Sequence, residues 1–287
     1  MSSIAWIQQP GRGHQATGHW GSPHELRLPS DARGVLLAEG VFETVLVLDG
    51  RPRLLGAHLA RWRQGAALLA LEPPPELSMV RALIDEAIVR SGIRQGALRL
   101  NWCRGSGPRG LEPIEPQQAA ASNLFWLQLS NCTPDFAPVS VIVSPTEVRH
   151  ATSVLSRCKH FGYGSALIAR RQARAAGAGD ALLLSSTGEL CCATSSSLLV
   201  RIDNHWHTPP LASGCLPGIM RQQALQQALA QETALSEGDL ECCEAALLLN
   251  SLSCRPIHQK GRAHGPGRSD AWSSDDARVF WQGLLND

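Results

Sequence analysis

The chain has 287 residues, enough for one large domain or two ordinary ones, and 44% of them are hydrophobic, enough to fill a sizeable core. A formal net charge of +1 provides no global field to draw nucleic acid or an anionic membrane. No apolar run approaches a membrane span, and Met1-Ser2-Ser3-Ile4-Ala5-Trp6 lacks the basic-then-apolar pattern of a secretory signal.

Residues 1–30 are polar and weakly patterned, with no clear element. Residues 41–47, Asp49-Gly50 and residues 53–55 read as a hairpin with an Asp-Gly turn. A helix is predicted over 58–71, broken by Pro73-Pro74-Pro75, and a second over 77–89. A strand follows in which Leu98, Leu100 and Trp102 point inward and Arg99, Asn101 and Cys103 outward. It runs into Arg104-Gly105-Ser106-Gly107-Pro108-Arg109-Gly110, a glycine-rich loop with an arginine at each side. No Gly-Lys-Ser/Thr follows, which argues against a phosphate cradle of the P-loop type. Residues 124–129 form another strand.

Pro134 to Pro138 reads as a linker between residues 1–133, a smaller N-terminal domain, and residues 139–287, a larger C-terminal one. The second half holds strands over 139–143, 180–184, 189–192 and 198–202, and a buried strand over 245–249. Helices are predicted over 164–176, 219–231 and 275–285, and residues 261–274 form a Gly/Ser-rich stretch. Mixed helices and strands in both halves make the fold class α+β or α/β. Nine cysteines, an odd number that includes the apolar doublets Cys191-Cys192 and Cys242-Cys243, fit free thiols in a reducing cytoplasm. The ten histidines are scattered, so no metal site is expected.

Chemistry enters through a scarcity. Lys159 and Lys260 are the only lysines against twenty-four arginines. An arginine stays protonated, whereas a lysine can shed its proton and attack a carbonyl. Lys260 sits in a polar, loop-like stretch. Lys159 follows a strand-like run, with the only tyrosine, Tyr163, four residues on. A lysine enzyme of this type also needs donors for a cofactor phosphate, and Gly218-Ile219-Met220 opens a helix after Pro217, where backbone N–H groups suit an anion. Ser251 just past a strand and Arg61 on a helix are further donors.

Together and in order, these pieces resemble the class IV aminotransferases, the fold-type IV pyridoxal-phosphate (PLP) enzymes. The resemblance spans about residues 33–257. It is carried by Arg33-Gly34, Gly40-Val41-Phe42-Glu43-Thr44, His58-Leu59-Ala60-Arg61, Lys159-His160-Phe161-Gly162-Tyr163, Thr208-Pro209-Pro210 and Leu216-Pro217-Gly218-Ile219-Met220-Arg221. It implies a two-domain fold like that of D-amino-acid aminotransferase, a homodimer, and PLP in a cleft between domains. Lys159 stands where the family's lysine binds PLP as a Schiff base and shuttles protons. Arg61 matches the phosphate-binding arginine, Gly218, Ile219 and Met220 the helix start at the same phosphate, Ser251 a donor there, and Tyr163 the tyrosine at the phenolic oxygen.

The loop 104–110 resembles that of the 4-amino-4-deoxychorismate lyases within the family. There Arg109, or failing it Arg104, would hold a carboxylate of a small-molecule substrate, since Arg binds carboxylates bidentately. Thr44 is expected near the ring or as a plain strand residue. The chain departs from the family at Cys192, where a glutamate pairs with the pyridine nitrogen; Glu189 lies three residues early on the opposite strand face. Asparagines of the family are Ser197 and Gly162 here. The expected activity is conversion of aminodeoxychorismate to 4-aminobenzoate and pyruvate, in folate synthesis. A branched-chain or D-amino-acid aminotransferase and a catalytically impaired PLP-binding homologue are the alternatives.

Overall fold

The computed structural model describes residues 2–8, 17–108, 110–113, 123–258 and 272–285, and all that follows concerns those residues. By its internal contacts the chain divides into two compact units, Met1–Thr133 with Cys158–Gly162, and Pro134–Arg157 with Tyr163–Asp287.

The first unit is a six-stranded antiparallel sheet in the order β2-β1-β6-β5-β3-β4. Its strands are β1 (Ser3–Gln8), β2 (Gly18–Gly21), β3 (Gly40–Leu48), β4 (Arg51–Pro52), β5 (Gly96–Arg104) and β6 (Asn123–Asn131), with helices α1 (Arg33–Leu36), α2 (Leu55–Leu68) and α3 (Leu77–Ser91). Period-two alternation sends Val41, Val45 and Val47 to the core face of β3, and Leu98 and Leu100 to that of β5. Trp62 of α2 and Ile84 of α3 complete that core at no more than 1% exposure, which makes each worth a few kcal/mol (~3–5 for Trp, ~2–5 for Ile, cut to Ala).

Four sequence expectations change here. The first thirty residues contribute β1 and β2: Ile4, Ala5, Trp6 and Ile7 are all buried, so the strand carries a short apolar run and no alternation. The return strand of the hairpin is only β4, because Leu54 turns left-handed (φ 52) and α2 starts at Leu55, three residues before the predicted 58. On β5 only Arg99 of the three outward residues is exposed. Asn101 and Cys103 are buried, Cys103 beneath Gly34 of α1, where a side chain would collide with its thiol. Finally, Cys158–Gly162, placed by sequence in the C-terminal half, docks on β3 in the first unit. Phe42 N–H donates to the Lys159 carbonyl (2.9 Å), and Phe161 N–H to that of Gly40 (3.0 Å).

The second unit holds β7 (Val141–Arg149), β8 (Asp180–Ser185), β9 (Leu190–Ala193), β10 (Ser197–Ile202), β11 (His205–Thr208), β12 (Ala230–Glu232), β13 (Ala245–Asn250) and β14 (Ser253–Pro256). The path is β12-β11-β10-β9-β8-β7, with β13 pairing β10 and β14; β7·β8 and β11·β12 are parallel. Its helices are α4 (Gly164–Ala175), α5 (Ile219–Gln226), α6 (Glu237–Cys242) and α7 (Ser274–Gly283). Capping boxes start α6 at Ser236 with Asp239 and α7 at Ser273 with Asp276. The predicted helix over 219–231 is shorter: Ala228 turns left-handed (φ 54), and residues 230–232 pair with β11. The Gly/Ser-rich residues 261–271 lie outside the described residues. No helix among the described residues is long and apolar enough to cross a membrane.

Candidate active site

In the first unit, β3 offers two faces. Its core face carries Glu43 between Val41 and Val45, and its other face carries Phe42 and Thr44. Lys159 is half-buried, and its ammonium Nζ lies 4.4 Å from the centre of the Phe42 ring. The Arg99 guanidinium carbon lies 3.6 Å from the centre of the same ring. Thr44, half-buried, sits opposite Arg99 in the ladder, and Arg99 Nε donates to Asn101 Oδ1 at 2.7 Å. One aromatic ring thus carries a nucleophilic amine and a guanidinium.

Glu43 is the buried centre of a second cluster. Its carboxylate accepts from Arg61 Nε (2.8 Å) and Nη2 (2.6 Å) and is bonded to His58 Nδ1 at 2.8 Å. All three side chains are buried, and α2 supplies both partners from one face, three residues apart. Burial alone would raise the Glu43 pKa. The Arg61 charge and the bonds from His58 and Arg61 outweigh it and hold the group at about 2. His58 is held below its ordinary value, first by burial and then by the Arg61 and Lys159 charges, against the pull of Glu43. At neutral pH the cluster is therefore Glu⁻, Arg⁺ and neutral His. Arg61, expected at the phosphate, has its Nε and Nη2 directed at Glu43.

Arg104 is buried and held inside the first unit. Its Nη2 donates to the Ala70 carbonyl (2.7 Å), and its Nε faces Glu39 at 3.4 Å. Arg109 lies outside the described residues.

In the second unit, Cys192 on β9 pairs across to Ser197 on β10, which pairs on its other side with Leu249 of β13. Gly218 caps α5, and a Cβ there would stand 2.5 Å from the Ser197 hydroxyl, so the helix start approaches that strand as closely as glycine allows. Ile219 and Met220 follow as buried first-turn residues, whose N–H groups have no acceptor within a helix. Ser251, half-buried, follows Asn250, whose amide donates to Ser196 Oγ at 3.0 Å. Tyr163, half-buried, precedes α4 and accepts the Leu167 N–H at its carbonyl (2.9 Å).

Cys192, Ser197 and Gly218 are thus brought together in a neighbourhood of thiols, hydroxyls and helix amides. The Cys191 thiol is pushed up by its contacts with the Cys192 and Cys215 thiols and by burial, and stays protonated. Glu189 does not replace the missing glutamate. Thr187 and Ser213 hold its carboxylate, the latter at 3.0 Å, and its pKa is lowered, first by Thr187. A cavity of about 340 Å³ in this unit, lined by His205, His207, Asp239 and neighbours, contains none of the expected site residues.

The sequence reading gave no role to Glu43, His58 or Arg99. Glu43 was legible as a charge on the inward register of an apolar strand. Arg99 had no such mark, because an outward arginine on a strand is ordinary.

The profile of the family described as Amino-transferase class IV matches residues 40–259. A bifunctional aminodeoxychorismate lyase / D-amino acid transaminase of Mycobacterium tuberculosis is 28% identical over 246 residues, covering 79% of this chain and 83% of that protein. A putative branched-chain-amino-acid aminotransferase of Methanocaldococcus jannaschii is 25% identical over 228 residues, covering 76% and 73%. Among solved structures, a putative 4-amino-4-deoxychorismate lyase of Legionella pneumophila superposes with a TM-score of 0.77 at 24% identity, over 91% of this chain and 97% of that one. The Escherichia coli branched-chain amino acid aminotransferase reaches a TM-score of 0.84 at 17% identity, over 100% and 95%. Both are likenesses of fold. With its two α+β units and a lysine seated on β3, the chain belongs to the amino-transferase class IV family of PLP-dependent enzymes and has the fold-type IV architecture.

Proposed function

We propose that the protein is a PLP-dependent lyase that converts 4-amino-4-deoxychorismate to 4-aminobenzoate and pyruvate. The observation that carries this reading is the pairing on one aromatic ring of Lys159 Nζ, at 4.4 Å, and the Arg99 guanidinium, at 3.6 Å, beside a loop flanked by further arginines. An amine next to cations suits a substrate that brings an amino group and carboxylates together. The bifunctional relative supports the same substrate class.

Taken unit by unit, the residues are of the kinds that would hold PLP. Lys159 supplies the amine and Arg61 a guanidinium oriented by Glu43. Gly218, Ile219 and Met220 supply a helix start with no Cβ over its cap, and Ser251 a hydroxyl. Tyr163 would donate to the phenolic oxygen, and Cys192 stands at the position of the family glutamate that would meet the pyridine nitrogen. When bound, PLP supplies a carbonyl carbon that captures the substrate nitrogen and a ring that withdraws electrons from the neighbouring carbon. Lys159 takes the proton from the carbon bearing that nitrogen. Enolpyruvate leaves from the adjacent carbon, and the ring of the product becomes aromatic. Arg99 and Arg109, with Arg104 as the alternative, hold the substrate carboxylates, and Thr44 lines the same strand face. Cys192 puts a sulfur side chain where the family has a glutamate carboxylate to pair with the pyridine nitrogen; aromatisation would lower the late states and offset that loss.

Product analysis with aminodeoxychorismate tests the reading: no 4-aminobenzoate and no pyruvate from PLP-loaded protein overturns it. A second reading, transamination, is favoured for D-amino acids by the dual activity of that relative and for branched-chain amino acids by the Methanocaldococcus jannaschii one. It predicts amino transfer to a keto-acid acceptor. If neither reaction proceeds while PLP binds, Cys192 marks a catalytically impaired homologue. We further place the enzyme in folate synthesis in the cytoplasm, as a homodimer. The exposed apolar run Val35, Leu36 and Leu37 supports the last point, and light scattering measures it.

A further inference from the structure

Arg33 is a buried cation that the proposed chemistry leaves unused, and its bonds converge on one loop. Its Nη1 donates to the carbonyl oxygens of Pro108 (3.0 Å) and Gly110 (2.9 Å), and its backbone N–H to that of Gly105 (2.9 Å). One residue therefore grips both ends of the loop. Next to it, Ala32 bridges Ser106, whose hydroxyl donates to Asp31 at 2.9 Å. Glu39 fixes the guanidinium: one carboxylate oxygen accepts from Arg33 Nε at 2.5 Å, and the other faces Arg104 Nε at 3.4 Å. Burying a guanidinium is costly unless all sides are bonded, and two main-chain carbonyls with a carboxylate meet that need. Gly105 is buried, but Ser106, Gly107, Pro108 and Gly110 are exposed. The clamp therefore seals little apolar surface; what it fixes is the shape of a polar loop.

We propose that Arg33 is a positioning residue for substrate recognition: it holds Gly105, Pro108 and Gly110 of the loop in place, and with them the affinity for a carboxylate-bearing substrate, without touching that substrate. This rests on the reading above, in which the loop takes a substrate carboxylate.

The test is a double-mutant cycle on the PLP-loaded enzyme. Arg33→Lys keeps a charge facing Glu39 but lacks the planar fork that reaches two carbonyls. KM for aminodeoxychorismate is expected to rise about tenfold with kcat within about twofold, and the Kd of chorismate, read by calorimetry without turnover, to rise by the same factor. PLP affinity stays put, and Tm falls by a few degrees. In an Arg109→Ala background, Arg33→Lys adds nothing further. Ser106→Ala, which leaves Arg33 in place, is a milder second variant with a smaller shift of the same kind. The proposal is overturned if KM and chorismate affinity do not move, if kcat falls instead, or if Arg33→Lys costs the same factor with and without Arg109. Wild-type protein that binds PLP but neither binds chorismate nor releases 4-aminobenzoate sinks the substrate reading itself.

Discussion

Around their expected site residues the two units differ in charge. The first concentrates charge. Glu43, Arg61 and His58 form one buried cluster, Lys159 and Arg99 share the Phe42 ring, and Arg33, Glu39 and Arg104 form a third group. Around Cys192 the second unit brings together uncharged groups, the Cys191 thiol, the Ser196 and Ser197 hydroxyls and the amides opening α5, although the unit also holds the ion pairs Arg221–Glu232 and Arg170–Asp180. Charged clusters are strong and sensitive to a single deletion, because the partner left behind is a buried ion. Neutral clusters lose less per change and admit gain of function.

That contrast can be broken or sharpened by experiment. Lys159→Ala removes the only described lysine and is expected to cut turnover about 10³-fold or more, with folding intact by circular dichroism. Glu43→Ala leaves Arg61 buried without its carboxylate and should cost about 3–5 kcal/mol in urea unfolding at pH 7.

Acid probes the same cluster. Its lowered pKa makes Glu43 stabilising above its ordinary 4.5, and that contribution, about 3 kcal/mol, is lost as pH falls toward about 2. His58, held neutral by burial, begins the decline earlier, as pH drops through 6.5 and the unfolded chain gains a proton that the folded one refuses. Glu43→Gln should flatten the lower limb of the stability–pH curve that its own titration causes and, with the pull on His58 gone, deepen the decline that begins near 6.5.

In the second unit, Cys192→Glu should raise turnover about ten- to a hundredfold, the equivalent of ~1.5–3 kcal/mol for one charge-assisted bond to the pyridine nitrogen. No gain would mean that the enzyme has no need of a protonated ring. The smallest effect is expected at Gly218→Ala. Its new Cβ presses on Ser197 and should weaken PLP binding about fivefold (~1 kcal/mol), and Ser197→Gly should restore it.

Much of this was legible in the sequence where a physical rule is local. The alternation of β3 and β5, the Asp-Gly turn and the Pro-Gly helix start each follow from backbone preference and period. The misses were non-local. α5 was drawn five residues too long because its apolar spacing continues through Leu225 and Leu229, while pairing with β11 claims the chain after Ala228. Asn101 and Cys103 read as outward because alternation cannot foresee α1 covering that end of the sheet. Lys159, Arg61 and the α5 start came from a residue count and a resemblance; the partners that orient them, Glu43 for Arg61 and Arg33 for the loop, emerge only with the coordinates.

The seating of Cys158–Gly162 on β3 has a consequence for dissection. The polypeptide passes between the two bodies at residues 133/134, 157/158 and 162/163, so one cut at the proline-bounded junction would not separate them. A fragment ending at Thr133 would forfeit the short segment that hydrogen-bonds Gly40 and Phe42, and with it the reactive amine. Neither half is a portable module, and an engineer wishing to graft this chemistry must carry five residues from beyond the apparent boundary.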